Sequence, residues 1–110
     1  MSTILIADDD HDICTLLSRF LGKNSYENII TSNGNKAIEQ VRSGKIDLLL
    51  CDFRLGDMDG TEVLTEVKSI QPGLPVIIIT GYSDIKVAVN LIKAGAYDYV
   101  TKPSFPDEIL

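Results

Sequence analysis

Four places along this chain put polar side chains directly after apolar runs, and their residue types suit phosphoryl chemistry. Asp8, Asp9 and Asp10 follow Ile4 to Ala7; Asp52 follows Leu48 to Cys51; Thr80 and Gly81 follow Val76 to Ile79; Lys102 and Pro103 follow Val100 and Thr101. Carboxylates within a few ångströms of one another repel and cannot all stay ionised without a counter-charge, so a cation is implied. All-oxygen ligands with room for water suit Mg²⁺, which commonly pairs one or two carboxylates with a phosphate. With Asp52 as acceptor, Mg²⁺ and Lys102 offset the charge of an incoming phosphoryl group, and the Thr80 hydroxyl donates a hydrogen bond to it. Such chemistry is mostly positioning and electrostatic stabilisation.

Taken singly, each residue has an ordinary explanation. Asp8 to Asp10 could be a solvated turn capping a helix, Asp52 a turn acid, Thr80 a strand residue capping a backbone group, and Lys102 a lysine snorkelling to the surface. What favours the joint reading is the set of elements that must carry them. Short apolar runs alternate with stretches whose apolar residues recur at helical spacing. The expected strands are Thr3 to Ala7, Glu27 to Thr31, Asp47 to Cys51, Val76 to Thr80 and Tyr97 to Thr101. Most are Ile, Val or Leu with little alternation, as in strands covered on both faces.

Between them, Ile13, Leu16, Leu17, Phe20 and Leu21 form a helical stripe, with Gly22 placed to end it. A second helix carries Ala37, Ile38 and Val41 before Gly44, and a third carries Val63, Leu64, Val67 and Ile70 before Pro72. Asp59 and Glu62 have the spacing of a capping box at the start of the third. A fourth helix begins near Ser83, presents Val87, Ala88, Leu91 and Ile92, and stops at Gly95; Asp107 to Leu110 make one turn of a fifth. Strict alternation predicts an α/β, doubly wound parallel sheet with helices on both faces. In such sheets the functional crevice lies beyond the carboxyl ends of the strands, where the four polar groups stand.

Composition narrows the function classes. One domain fits in 110 residues, and 45% hydrophobic residues supply its core. Ten basic against sixteen acidic residues leave a net charge of −6, which argues against direct nucleic-acid binding and against an anionic membrane surface. No apolar run reaches membrane-spanning length and no signal sequence opens the chain, so the expectation is a cytoplasmic protein. Cys14 and Cys51 lie in apolar surroundings without metal spacing and are expected to be reduced core thiols. His11, flanked by Asp10 and Asp12, is expected to face solvent.

The segments ILIADDD at 4 to 10, LLLCDFRLGDMDG at 48 to 60, VIIITG at 76 to 81 and AGAYDYVTKP at 94 to 103 together resemble the receiver domain of bacterial two-component response regulators. The resemblance spans nearly the whole chain. It implies a five-stranded sheet of order 2-1-3-4-5, an order that general fold rules illustrate with a member of this family. It also implies Asp52 as phosphoacceptor, with Mg²⁺ held by Asp8, Asp9, Asp52 and the backbone carbonyl of Arg54. Thr80 and Lys102 match the residues that contact the phosphoryl group, Thr80 and Tyr99 the switch pair, and Pro103 a cis-proline. The wording DFRLGDMDG followed by ITGYSDI is most like the nitrogen-regulatory class, which controls activators of sigma-54 polymerase.

Two departures from the family pattern matter. Gly56 stands where a proline is common, which loosens the loop near the metal position. The fifth helix is truncated at Leu110, so part of the sheet face beside Ile13 to Leu21 is expected to be open and residues 1–110 to be the N-terminal receiver of a longer protein. Arg54 and Tyr82, each two residues beyond a site residue, are placed to gate water or a partner.

The implied function is a phosphorylation-dependent switch. It takes its phosphoryl group from a sensor histidine kinase, hydrolyses it slowly, and controls an output domain in the same chain, with a homodimer on activation. The neighbouring alternatives are the receiver of a hybrid histidine kinase, a stand-alone receiver, and a degenerate receiver that only docks. A haloacid-dehalogenase-type phosphatase would read Asp8 and Asp10 as its acid pair, but expects Thr or Val where Asp12 stands. A flavodoxin-like redox module would need a phosphate cradle where Asp8 to Asp12 are acidic.

Overall fold

The computed structural model describes residues 2–81 and 85–101, without the side chains of Thr80 and Ile85. Elements alternate along the chain as β1 (Thr3–Ala7), α1 (His11–Lys23), β2 (Glu27–Thr31), α2 (Gly34–Arg42), β3 (Leu48–Asp52), α3 (Gly60–Ile70), β4 (Val76–Thr80), α4 (Ile85–Lys93) and β5 (Asp98–Thr101). The strands form one parallel sheet in the order β2-β1-β3-β4-β5, as the resemblance implies.

The central strands β1, β3 and β4 each contribute to two cores because successive side chains point to opposite faces. Leu5, Ala7, Leu49, Cys51, Val76 and Ile78 meet the buried residues of α2, α3 and α4, among them Ala37, Val41, Val63, Leu64, Val67 and Leu91. On the other face Ile4, Ile6, Leu50 and Ile79 meet Cys14, Leu17 and Leu21 of α1. Among the described residues the second layer is the smaller one. Leu48 and Ile77 are only half-buried, and a cavity of about 230 Å³ opens between Phe20, Leu21, Leu48 and Ile77. The turn expected at Asp107 to Leu110 lies outside the described residues.

Several boundaries differ from the sequence reading for identifiable reasons. β3 runs one residue further than expected because Asp52, though charged, pairs in register with Ile79. α1 does not stop at Gly22: it continues to Lys23, and the chain turns at Ser25, whose φ is 67°. The amide N–H groups of Ser25 and Tyr26 fold back onto the carbonyls of Gly22 and Leu21, which satisfies the end of the helix without a glycine. Gly44 and Gly95 do take the expected terminal roles, with φ of 76° and 113°. Leu16 belongs to the apolar stripe of α1 but is exposed. β5 begins at Asp98, leaving Tyr97 outside the strand and largely in solvent, whereas Tyr99 packs against the larger core. The start of the fourth helix near Ser83 falls outside the described residues.

α3 opens as its sequence predicts. The Asp59 carboxylate accepts the Glu62 amide at 2.9 Å while Glu62 reaches back to the Asp59 amide, so both partners of the capping box are engaged.

Candidate functional site

The sheet register brings the acids together. Ala7 of β1 pairs with Cys51 of β3, so Asp8 and Asp52 follow side by side at the carboxyl end of the two central strands. Asp8 still belongs to the sheet edge, its amide donating to the Thr31 carbonyl at 3.1 Å. One carboxylate oxygen from each of Asp8, Asp9 and Asp52 lies within 4.8 Å of the others. Asp8 and Asp52 are buried, at 4% and 7% exposure, and Asp9 is exposed.

The three consecutive acids divide their work. Asp10 turns away to cap α1, accepting the amides of Asp12 at 3.0 Å and Ile13 at 3.3 Å. Asp8 accepts the Asp10 amide through Oδ1 at 2.9 Å, which fixes the turn between strand and helix. His11, the first residue of α1, is exposed, as expected.

Two thiols support the cluster from opposite faces of the sheet. Cys14 donates to the Asp8 carbonyl and Cys51 to the Asp52 carbonyl, both at 3.2 Å. Burial, then the negative charges of Asp52 and Asp8, push the Cys51 thiol far up, so it remains a neutral donor. The sequence reading treated both cysteines as core filler and missed these contacts, which have no local signal beyond their position next to the acids.

A short hairpin follows Asp52. Phe53 extends the ladder by donating to Ile79, Arg54 and Asp59 form an antiparallel bridge, and the Leu55 amide donates to Met58. The tip of the hairpin reaches α2: Asp57 accepts the amides of Gly34 at 2.8 Å and Asn35 at 3.0 Å. These bonds, first that from Gly34 and then that from Asn35, hold the Asp57 carboxyl below its ordinary value. Asp57 was not singled out from sequence, since its partners lie more than twenty residues earlier.

Thr80 ends β4, one position beyond Ile79, the partner of Asp52, and pairs in register with Thr101. Tyr99 is half-buried on β5. Lys102, Pro103 with its expected cis bond, and Tyr82 lie outside the described residues.

The donor set fits a small hard dication. It is all oxygen, and two of its three carboxylates are withdrawn from water.

Known proteins resemble this chain in sequence and in fold. The family model of the response regulator receiver domain matches residues 4–110. Transcriptional regulatory protein ZraR of Klebsiella oxytoca is 45% identical over 100 residues, covering 91% of this chain and 23% of that protein. Regulatory protein AtoC of Escherichia coli K12 is 34% identical over 109 residues, covering 99% of this chain and 24% of that protein. The chain thus spans about a quarter of the length of these curated relatives. Among solved structures, a CheY-like response regulator receiver domain protein from Methanospirillum hungatei JF-1 superposes with a TM-score of 0.92 at 32% identity, covering 99% of this chain and 87% of that one. The beryllofluoride-activated NtrC4 receiver domain dimer gives a TM-score of 0.92 at 29% identity, covering 99% and 89%.

Proposed function

Since the chain belongs to the response regulator receiver domain family, we propose that it is a phosphorylation switch in which Asp52 accepts a phosphoryl group from a sensor histidine kinase. The observation that carries this reading is the cluster of Asp8, Asp9 and Asp52, two of them buried, at the carboxyl ends of adjacent parallel strands. Asp8, Asp9, Asp52 and the Arg54 carbonyl would hold Mg²⁺. When bound, the ion neutralises charge on the cluster and on the phosphoryl oxygens.

A carboxylate oxygen of Asp52 forms the new O–P bond as the donor's P–N bond breaks, and the departing imidazole takes up a proton from solvent. Asp52 suits the task because its neighbours on the strand hold it in place: its carbonyl is fixed by Cys51, and Phe53 continues the ladder beyond it. Thr80 and Lys102 contact the phosphoryl oxygens, a role supported by their matching motif positions. Thr80 then draws toward the new group and Tyr99 enters the vacated space, shifting an existing equilibrium. Water later attacks the phosphorus and restores the carboxylate. Self-phosphorylation from small phosphodonors and autodephosphorylation are the only reactions assigned to the domain itself.

Residues 1–110 are assigned as the receiver, with a transcriptional output domain elsewhere in the same chain. Support comes from the relatives, a transcriptional regulatory protein (ZraR) and a regulatory protein (AtoC), each matched over about a quarter of its length. The nitrogen-regulatory wording of the loops supports a sigma-54 activator, and the NtrC4 likeness supports a homodimer on activation. The domain works in the cytoplasm, where kinase and polymerase are found; no described helix is long and apolar enough to cross a membrane.

Incubation with acetyl phosphate and Mg²⁺, followed by intact mass measurement, tests the central assignment. One added phosphoryl mass is expected on the unaltered chain and none on Asp52→Asn, whose amide cannot form an acyl phosphate. Equal labelling of both would overturn it.

A further inference from the structure

We infer that Asp57 is a positioning residue for the cation site, holding the loop that carries the Arg54 carbonyl by clamping its tip to the start of α2. The inference rests on the proposed Mg²⁺ role of that carbonyl and adds a residue that the site itself does not contain.

The hairpin from Arg54 to Asp59 is secured at its base by the Arg54–Asp59 bridge and by the donation from Leu55 to Met58. Its tip, Gly56 and Asp57, is exposed. Gly56 offers no side chain to pack, and an added Cβ there would meet nothing within 4 Å. Arg54 is only two residues from this tip, so the position of the tip bears on the Arg54 backbone. The Asp57 carboxylate ties the tip to α2 through two charge-assisted hydrogen bonds, from Gly34 and Asn35.

The anchor is rigid and complementary. Gly34 and Asn35 are the first two residues of α2, whose Ala37, Ile38 and Val41 are buried in the core. Asn33 caps the third amide, that of Lys36, through its side chain at 2.8 Å, and its carbonyl accepts the fourth, that of Ala37. The first three amides of α2 are therefore satisfied from outside the helix, two of them by the loop. The negative charge also lies at the end of the helix that favours it. Beside this clamp Met58 lies so close to Gly34 that a Cβ on residue 34 would overlap its Cγ and Sδ. The loop is held at two adjacent points against one helix end.

Gly56 is also where a stiffer residue would do the same job. Its φ is not in the left-handed region and its Cβ direction is open, so neither the sign of φ nor the space around the residue opposes a proline there. Covalent stiffness at Gly56 and hydrogen bonding at Asp57 are then two routes to one result, a fixed Arg54 backbone.

The experiment measures Mg²⁺ affinity by isothermal titration calorimetry on the full 110-residue chain, with amide exchange at Gly34 and Asn35 and thermal melting alongside. Asp57→Ala is expected to weaken Mg²⁺ binding by about three- to tenfold, the scale on which outer partners act on metal sites, and to speed exchange at both amides. Adding Gly56→Pro to Asp57→Ala is expected to return the affinity to within about twofold of the unaltered chain while the two amides stay unprotected. Loss of one negative charge cannot be reversed by a proline, so this rescue separates positioning from simple electrostatics. Asp57→Asn keeps one acceptor oxygen and is expected to fall between, which serves if the alanine variant does not fold. Unchanged affinity in both Asp57 variants, or no rescue by Gly56→Pro, would reduce Asp57 to a helix cap and overturn the inference. Absence of Mg²⁺ binding by the unaltered chain would instead remove the metal reading, and the inference with it.

Discussion

Asp8 and Asp52 stand side by side at the ends of β1 and β3, each one step beyond the paired residues Ala7 and Cys51, and both are buried. Their carboxylate oxygens lie within 4.8 Å. At an effective dielectric of 20 two unit charges at such a distance repel by about 3 kcal/mol before any relaxation. That repulsion, taken by itself, opposes the metal-free fold.

The first prediction follows from that repulsion. Asp8→Asn should raise the stability of the metal-free chain by about 1–3 kcal/mol, because it removes one of two crowded charges and keeps the shape. The same change should remove most of the stabilisation that added Mg²⁺ brings to the unaltered chain. Urea unfolding with and without Mg²⁺ measures both. A less stable metal-free variant would mean that Asp8 is held mainly by favourable contacts.

A second prediction concerns the floor of the acceptor. A Cβ on Gly60 would come within 3.1 Å of Phe53 Cα and Cδ1 and 3.4 Å of Ile78 Cδ1. Phe53 cannot step back, since its amide donates to Ile79 and its carbonyl accepts from Gly60. Gly60→Ala should then cost about 1–3 kcal/mol, as overpacking does, and should slow labelling of Asp52, the residue next to Phe53. Denaturant unfolding and acetyl phosphate labelling rates check the pair. Normal stability with normal labelling would show that the α3 entry has slack.

The thiols supply a third. The Cys51 pKa is raised by burial and by Asp52 and Asp8, so no thiolate forms near neutral pH, and Cys14 is buried as well. In native buffer at pH 7 to 8 iodoacetamide should modify neither, and both should react together once denaturant unfolds the chain. Mass spectrometry counts the adducts. Rapid native labelling of Cys51 would mean that the end of β3 opens locally.

How far the site was legible in the sequence depends on the range of each interaction. The Asp59–Glu62 capping box spans three residues, so its pattern is complete in the sequence and the structure repeats it. The strand-end acids are legible because parallel strands deliver their carboxyl ends to one edge of the sheet. Which of Asp8, Asp9 and Asp10 joins Asp52 is not a matter of pattern: it depends on Asp10 turning away to cap α1. Gly22 misleads because Ser25 can take the left-handed turn instead. Asp57 is invisible for a different reason: its two partners are 22 and 23 residues away, joined to it only once α2 and the β3–α3 loop have packed.

That long-range contact has its own pH signature. The Asp57 carboxyl is held below its ordinary value, first by the Gly34 amide and then by the Asn35 amide. A carboxyl whose pKa is lower in the folded chain binds protons less readily there than in the unfolded one. Its contribution to stability is therefore present above the unfolded value of about 3.9, and is lost as pH falls through the lower folded value. Asp57 is exposed, so solvent screening keeps the effect modest. Asp57→Asn should be less stable than the unaltered chain at pH 7 and should approach it in stability as pH falls through the lowered folded value, where the carboxylate is being protonated. Urea midpoints at several pH values, at constant ionic strength, give the comparison. A stability gap that stays constant down to acid pH would mean that the ionised carboxylate adds nothing at the start of α2 beyond what a neutral acceptor supplies.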